Sequence, residues 1–187
     1  MKQENLIRYV LRLTLTLLLI ATVVAAALAL VNQLTAPVIA KAREEKTKNA
    51  IMKVLPGGYD REITDYSDPS GMVSRVYQGA QGYALEVHPS GFDGEITLMV
   101  GVDLEGKLLG ISVVSHTETA GLGAVAAADN AAGEAFRQQF EGMSGQVLVE
   151  KDGGMVHAIT GATVTSRAVC SGINAALDCV AALGGAE

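Results

Sequence analysis

Between Leu13 and Ala40 the chain carries no charged side chain. About 28 residues wound as a helix span roughly 40 Å, more than the hydrocarbon core of a bilayer. The densest apolar part is Leu13 to Val31, and Pro37 predicts the end of regular helix, because proline removes a backbone donor and crowds the preceding turn. A cleaved signal peptide has a shorter apolar core, of about 7–15 residues, although Ala25-Ala26-Ala27 imitates a cleavage site. A buried globular helix is rarely so uniformly apolar. A retained membrane anchor over residues 1–40 is the reading that fits best. No cysteine lies near it, which excludes a lipid-modified anchor.

Charge separates the chain into two parts. Lys2, Arg8 and Arg12 against Glu4 leave residues 1–40 at +2, so with a net charge of −6 the rest holds −8. An acidic domain has no electrostatic case for nucleic acid, and 4% aromatic residues with no Trp offer no stacking surface. Arg8 and Arg12 on one side of the apolar run and Lys41, Arg43, Lys46 and Lys48 on the other leave orientation undecided by charge. Cys170 and Cys179 are nine apart, roughly 13 Å along a helix, whereas a disulfide needs Cα atoms within about 7 Å. They are expected to be packed thiols. His88, His116 and His157 lack the spacing of a zinc site, and no metal ligands are assigned. Neither a nucleophile elbow nor a complete dinucleotide fingerprint occurs, and no catalytic residue is assigned.

Residues 41–71 read as a solvated stalk helix, Lys41 to about Val54, closed by Leu55-Pro56-Gly57-Gly58 and followed by a polar, turn-rich linker. Residues 72–187 read as one α+β domain, an antiparallel sheet with packed helices. Met72 to Gln78 and Gly82 to His88 are candidate strands. Ile96, Leu98, Val100 and Val102 alternate with Glu95, Thr97, Met99 and Gly101, the period of a half-buried strand. Asp103-Leu104-Glu105-Gly106 turns it into a partner, Lys107 to Ser115, with Leu109, Ile111 and Val113 on one face. Ala124 to Ala132 and Glu134 to Phe140 read as helical, Gln146 to Lys151 as a strand, and Thr163 or Thr165 opens a last helix to about Leu183.

The run Thr160-Gly161-Ala162-Thr163-Val164-Thr165-Ser166 sits where a glycine turn meets the first turn of that helix. First-turn N–H groups lack intrahelical partners and favour an anion, so the run is a candidate phosphate site with hydroxyls around it. Read as structure alone, it is an ordinary N-cap. Thr160-Gly161-Ala162-Thr163 resembles the Ser/Thr-Gly-Ala-Thr motif of the FMN-binding domain shared by the G subunit of Rnf electron-transport complexes and the C subunit of the sodium-pumping NADH:quinone reductase. Glu118-Thr119-Ala120-Gly121-Leu122-Gly123 resembles that family's Glu-Thr-Pro-Gly-Leu-Gly segment, and Ser90-Gly91-Phe92-Asp93-Gly94-Glu95-Ile96 its entry to a central strand.

The resemblance implies FMN joined through a phosphoester to Thr163, with Thr160, Gly161, Ala162, Val164 and Thr165 around the attachment. It implies that Glu118, Thr119, Gly121, Leu122 and Gly123 form a second loop at the flavin ring; orientation of the loop is the alternative role for Glu118. It further implies a single-pass protein of the cytoplasmic membrane, its large domain outside the cytoplasm, matured by a flavin transferase and relaying single electrons among the other subunits of a ferredoxin:NAD oxidoreductase complex. Ala120 replaces the family's proline, His157 stands where the attachment motif has aspartate, and Met143 aligns where many relatives have lysine. A C-type sodium-pump subunit and a non-redox ligand-binding module of the same fold are the alternatives.

Overall fold

The structure, a computed structural model, describes residues 2–184, with side chains from Ile7 onward. The outer limits of the expected 1–40 and 72–187 segments, residues 1 and 185–187, lie outside the described residues. The chain falls into two compact units, Met1–Glu45 and Lys46–Glu187.

Helix α1, Lys2–Val54, is continuous through Pro37, so the expected stop there is overturned. Proline at position 37 removes one bond, to the carbonyl four residues earlier, at a cost of about 3 kcal/mol. Ala, Lys and Glu supply most of residues 40–50, all strong helix formers, and the ladder resumes beyond the interruption. The helix is long and apolar enough to cross a membrane, and its most apolar stretch is wholly exposed. It is a candidate single-pass anchor.

The second unit is built on a five-stranded antiparallel meander, β1 to β5 in sequence order. The strands are β1 Arg61–Ile63, β2 Val73–Gly79, β3 Gly82–Val87, β4 Thr97–Asp103 and β5 Leu108–Ser115. β1 lies within the stretch expected to be linker; Arg61 and Ile63 pair with Gln78 and Val76. Two short 3-10 turns (Gly123–Ala127 and Glu150–Asp152) and two helices, α2 Ala131–Gln138 and α3 Thr163–Gly184, complete it.

β4 is buried on both faces rather than one, which corrects the half-buried expectation. Leu98, Val100 and Val102 join Val76, Leu85, Val87 and the α3 residues Val169, Ile173 and Ala176 in the main core. Met99 turns the other way, onto a second cluster with Tyr77, Ala84, the α1 residues Ala50, Ile51 and Val54, and Leu55 just beyond the helix. The end of the expected stalk is therefore a packed element, not a solvated one. Its apolar positions 50, 51, 54 and 55 follow the i, i+1, i+4, i+5 stripe of a one-faced helix. Gly101 permits the contact: a Cβ there would collide with the Val54 carbonyl.

Three further expectations are corrected. A bulge opposite Gly101–Val102 places Leu108 with Ile111 and Val113, and sends Leu109 to the α1 side with Val114. The alanine run is split, a 3-10 turn over Gly123–Ala127 and then Ala131-Ala132 opening α2, because Asp129-Asn130 breaks it and the Asn130 side chain accepts from Gly133 N–H at 2.9 Å to cap α2. Residues 146–151 form no strand. The Val147 N–H donates to the Asn174 side chain (2.8 Å) and its carbonyl accepts from it (2.9 Å), so an α3 amide replaces a neighbouring strand. Val149 keeps a single parallel bridge to Val156.

Gly101→Val should lower the stability of the purified full chain by about 1–3 kcal/mol, as overpacking does, in chemical denaturation read by circular dichroism. Gly106→Asn, in a turn with no atom near the added Cβ, should cost far less.

Candidate cofactor site

α3 presents Thr163 at its first residue. The preceding Ala162 accepts the first helical bond, from Ser166 N–H at 3.0 Å, and has no side-chain oxygen with which to cap the turn. Gly161 holds φ +79°, a left-handed conformation that L side chains rarely adopt. A Cβ at this position would stand 3.1 Å from the Leu122 side chain. The two sequence motifs, about forty residues apart, are thus brought against one another at Gly161 and Leu122.

A buried carboxylate locks them together. Glu118 is 7% exposed. One oxygen accepts from the backbone N–H groups of Phe92 (2.8 Å) and Asp93 (3.1 Å), and the other from the Thr165 hydroxyl (2.5 Å). The space for this carboxylate is made by Gly91 and Gly123, at each of which a Cβ would strike a Glu118 oxygen. All three stretches quoted from the sequence meet on Glu118: the Gly91–Gly94 turn, the 118–123 loop and the start of α3. Glu118 is spent on this junction and orients the loop.

The hydroxyls of the run divide by burial. Thr165 and Ser166 are buried; Ser166 Oγ donates to the Ala162 carbonyl and accepts from Ile159 N–H, both at 3.0 Å. Thr160 and Val164 are exposed. Thr163 is half-buried, and its Oγ accepts from the Lys151 ammonium at 3.2 Å. Lys151 was not among the residues singled out from the sequence. The sequence reading places it at the end of a strand, Gln146 to Lys151; the fold instead sets it in the 3-10 turn Glu150–Asp152, against the start of α3.

Thr119 is exposed, and its carbonyl accepts from Leu122 and Ala124 N–H, which shapes the turn; the 3-10 turn that follows has no side-chain cap. Gly121 and Thr160 share the wall of a cavity of about 520 Å³ whose apolar side is Val125, Ala135, Phe136 and Ile159. His157 lies at the same cavity, its Nδ1 2.8 Å from Glu150 and its N–H donating to Gln139. Met143 packs against the main core and is not placed at this cavity. His116, just before the Glu118 loop, has a buried Nδ1 with no partner among the described residues. No group of three or more metal-ligating side chains is gathered among the described residues. Cys170 and Cys179 are buried free thiols, and burial pushes both up to about 11, so neither is a ready nucleophile.

An accessible hydroxyl on an uncapped helix start, a lysine beside it and a glycine loop facing it define a domain suited to a phosphate-bearing cofactor. Residues 91–178 match the FMN-binding domain family, and residues 1–54 match the RnfG N-terminal region. The chain is 36% identical to the G subunit of the ion-translocating oxidoreductase complex of Pseudomonas aeruginosa, over 91% of this chain and 88% of that protein. It is 32% identical to the G subunit of the Na⁺-translocating ferredoxin:NAD⁺ oxidoreductase complex of Acetobacterium woodii, over 89% of each. It is 31% identical to the proton-translocating counterpart of Clostridium ljungdahlii, over 99% of this chain and 97% of that protein. The chain belongs to the family of G subunits of Rnf-type ion-translocating oxidoreductase complexes.

Glu118→Ala strands two N–H groups and a hydroxyl in a buried place and should cost about 2–4 kcal/mol in denaturant unfolding; Glu118→Gln, which keeps the shape, should cost less. Combined with Thr165→Val, Glu118→Ala should lose less than the sum of the two single effects.

The Arg167 guanidinium donates two bonds to Asp152, at 2.7 and 2.6 Å, and this pairing holds the Asp152 carboxyl below its ordinary range. A depressed carboxyl contributes stability above its unfolded pKa and loses it as pH falls through the folded value. NMR titration of Asp152 should therefore give a midpoint below that of an unpaired aspartate, and Arg167→Gln should raise it toward the ordinary value.

Proposed function

We propose that this chain is a membrane-anchored electron-transfer subunit that carries FMN in phosphoester linkage to Thr163, within a multi-subunit ferredoxin:NAD⁺ oxidoreductase that moves ions. The observation that carries this reading is the distribution of hydroxyls at the α3 start. Thr165 and Ser166 are buried and already bonded, whereas Thr163 is accessible and faces a cation. The family match to an FMN-binding domain and the names of the relatives supply the cofactor and the assembly.

When bound, FMN supplies reversible electron uptake in its isoalloxazine ring; the protein supplies placement. Thr163 would hold the phosphate, supported by the first-turn N–H groups of α3 and by Lys151. Gly161 and Ala162 keep the approach clear of side-chain bulk. Leu122, exposed at the loop tip, and the apolar wall of Val125, Phe136 and Ile159 are surfaces suited to a flat aromatic ring. Glu118, Gly121 and Gly123 fix the loop against α3, and Thr119, Thr160, Val164 and Thr165 complete the surroundings. Covalent attachment suits a domain outside the cytoplasm, where a diffusible cofactor would be lost. We assign the domain to that side of the cytoplasmic membrane, with the 1–40 segment as anchor, 41–71 as the connection and 72–187 as the flavin domain. Its partners would be the other subunits of the complex and a flavin transferase that matures it.

Intact-mass measurement of the full chain from its own membranes should show an adduct of one FMN less one water, located by peptide mapping on Thr163. Thr163→Ala should abolish the adduct while leaving the circular dichroism spectrum unchanged. A bare wild-type side chain would leave the non-redox binding module as the better reading.

A further inference from the structure

The 3-10 turn Glu150–Asp152 sends three consecutive side chains to three points of the segment that carries the hydroxyl run. Glu150 meets His157 at 2.8 Å, Lys151 meets Thr163 at 3.2 Å, and Asp152 takes the two-bond fork of Arg167 at 2.6 and 2.7 Å. The turn closes at Gly153, left-handed at φ +87°, and Gly154 packs on the Leu148 backbone so closely that no Cβ would fit. The neighbouring carboxylates on the turn are both engaged elsewhere. Lys151, with acids on either side in the chain, makes its hydrogen bond to a neutral hydroxyl instead.

Resting on the assignment of FMN to Thr163, we propose that Lys151 is the cationic partner of the phosphodiester on that residue, held in reach by the Asp152–Arg167 pair. A phosphodiester keeps one negative charge at neutral pH. Its phosphorus would sit one bond beyond the oxygen that Lys151 already touches, so the free phosphate oxygens fall within the swing of a four-carbon side chain. The helix start supplies partial positive charge from backbone alone; Lys151, 3.2 Å from the hydroxyl, supplies a full one. Arg167 acts only through Asp152 and is a positioning residue. Lys151 has a second consequence before attachment: its ammonium lies on the hydroxyl and favours approach of an anionic phosphate donor there.

The test uses the full chain in detergent, prepared with and without a co-expressed flavin transferase, as wild type, Lys151→Gln, Lys151→Arg and Arg167→Gln. Intact mass gives the adduct fraction, and thermal unfolding gives the difference in Tm between flavinylated and bare forms of each variant. Lys151→Gln should lower the flavinylated form relative to its own bare form by roughly 2–6 °C more than in wild type. Lys151→Arg should behave as wild type, Arg167→Gln should fall between, and the deficit of Lys151→Gln should shrink at about 1 M salt. If Lys151→Gln accepts no flavin while Lys151→Arg does, the requirement for charge is met by that result alone. An identical Tm difference in Lys151→Gln and wild type overturns the proposal, as does failure of both variants to accept flavin. Absence of an adduct from wild type itself would instead defeat the assignment of Thr163, and with it the proposal built upon it.

Discussion

The side chain of Glu118 is the joint on which the candidate cofactor end of this domain is assembled. A nearly buried carboxylate is tolerated only when its oxygens are bonded. Here the partners come from two other stretches of chain: the backbone at Phe92 and Asp93, and the hydroxyl of Thr165. Gly91 and Gly123 are small because the carboxylate occupies the volume that their side chains would take. The identity of several residues thus follows from one buried side chain. The geometry of the candidate site, with Leu122 against Gly161, rests on the same joint.

Hydroxyl chemistry at the start of α3 shows a division of labour within four positions. Thr165 and Ser166 look inward on the helix and are used to bond the loop and the preceding segment at Ile159. Thr163 lies on another side of the same turn, where 3.6-residue periodicity leaves it accessible. Sequence composition alone gives all of these hydroxyls equal standing; helical phase distinguishes them. The lysine at Thr163 comes from a 3-10 turn twelve residues earlier, and the Asp152–Arg167 fork ties that turn to α3.

Much of the sheet was legible because its signals are local. Alternation at Ile96–Val102 and the Asp103–Gly106 turn are enough to place β4 and β5 beside each other. The second buried face of β4 was not legible, since Met99 and Gly101 read as an outward side until the end of α1 is known to cover them. The position of Leu109 depended on a bulge, which leaves no mark in the alternation pattern. Residues 146–151 have strand composition, but the backbone bonds of Val147 are completed by the side chain of Asn174, 27 positions further on, and those of Leu148 and Glu150 by Val156. Pro37 carried a correct local argument whose cost the surrounding helix absorbs. At the candidate site the motifs were readable as motifs. Lys151 and Arg167 were not, because a lone charged side chain acquires meaning only from what the fold sets beside it.

The meander is complete by Ser115, yet α3 begins only at Thr163 and is the last 22-residue element of the described chain. During synthesis, the sheet can therefore form while its α3-facing side, with Leu85, Leu98 and Val100, still has no cover, and while Glu118 still waits for Thr165. Arrival of α3 closes the apolar layer and brings the Thr165 hydroxyl to Glu118 in a single event. A chain cut short before that helix would leave the apolar layer bare and the Glu118 oxygen without its Thr165 partner at the same time.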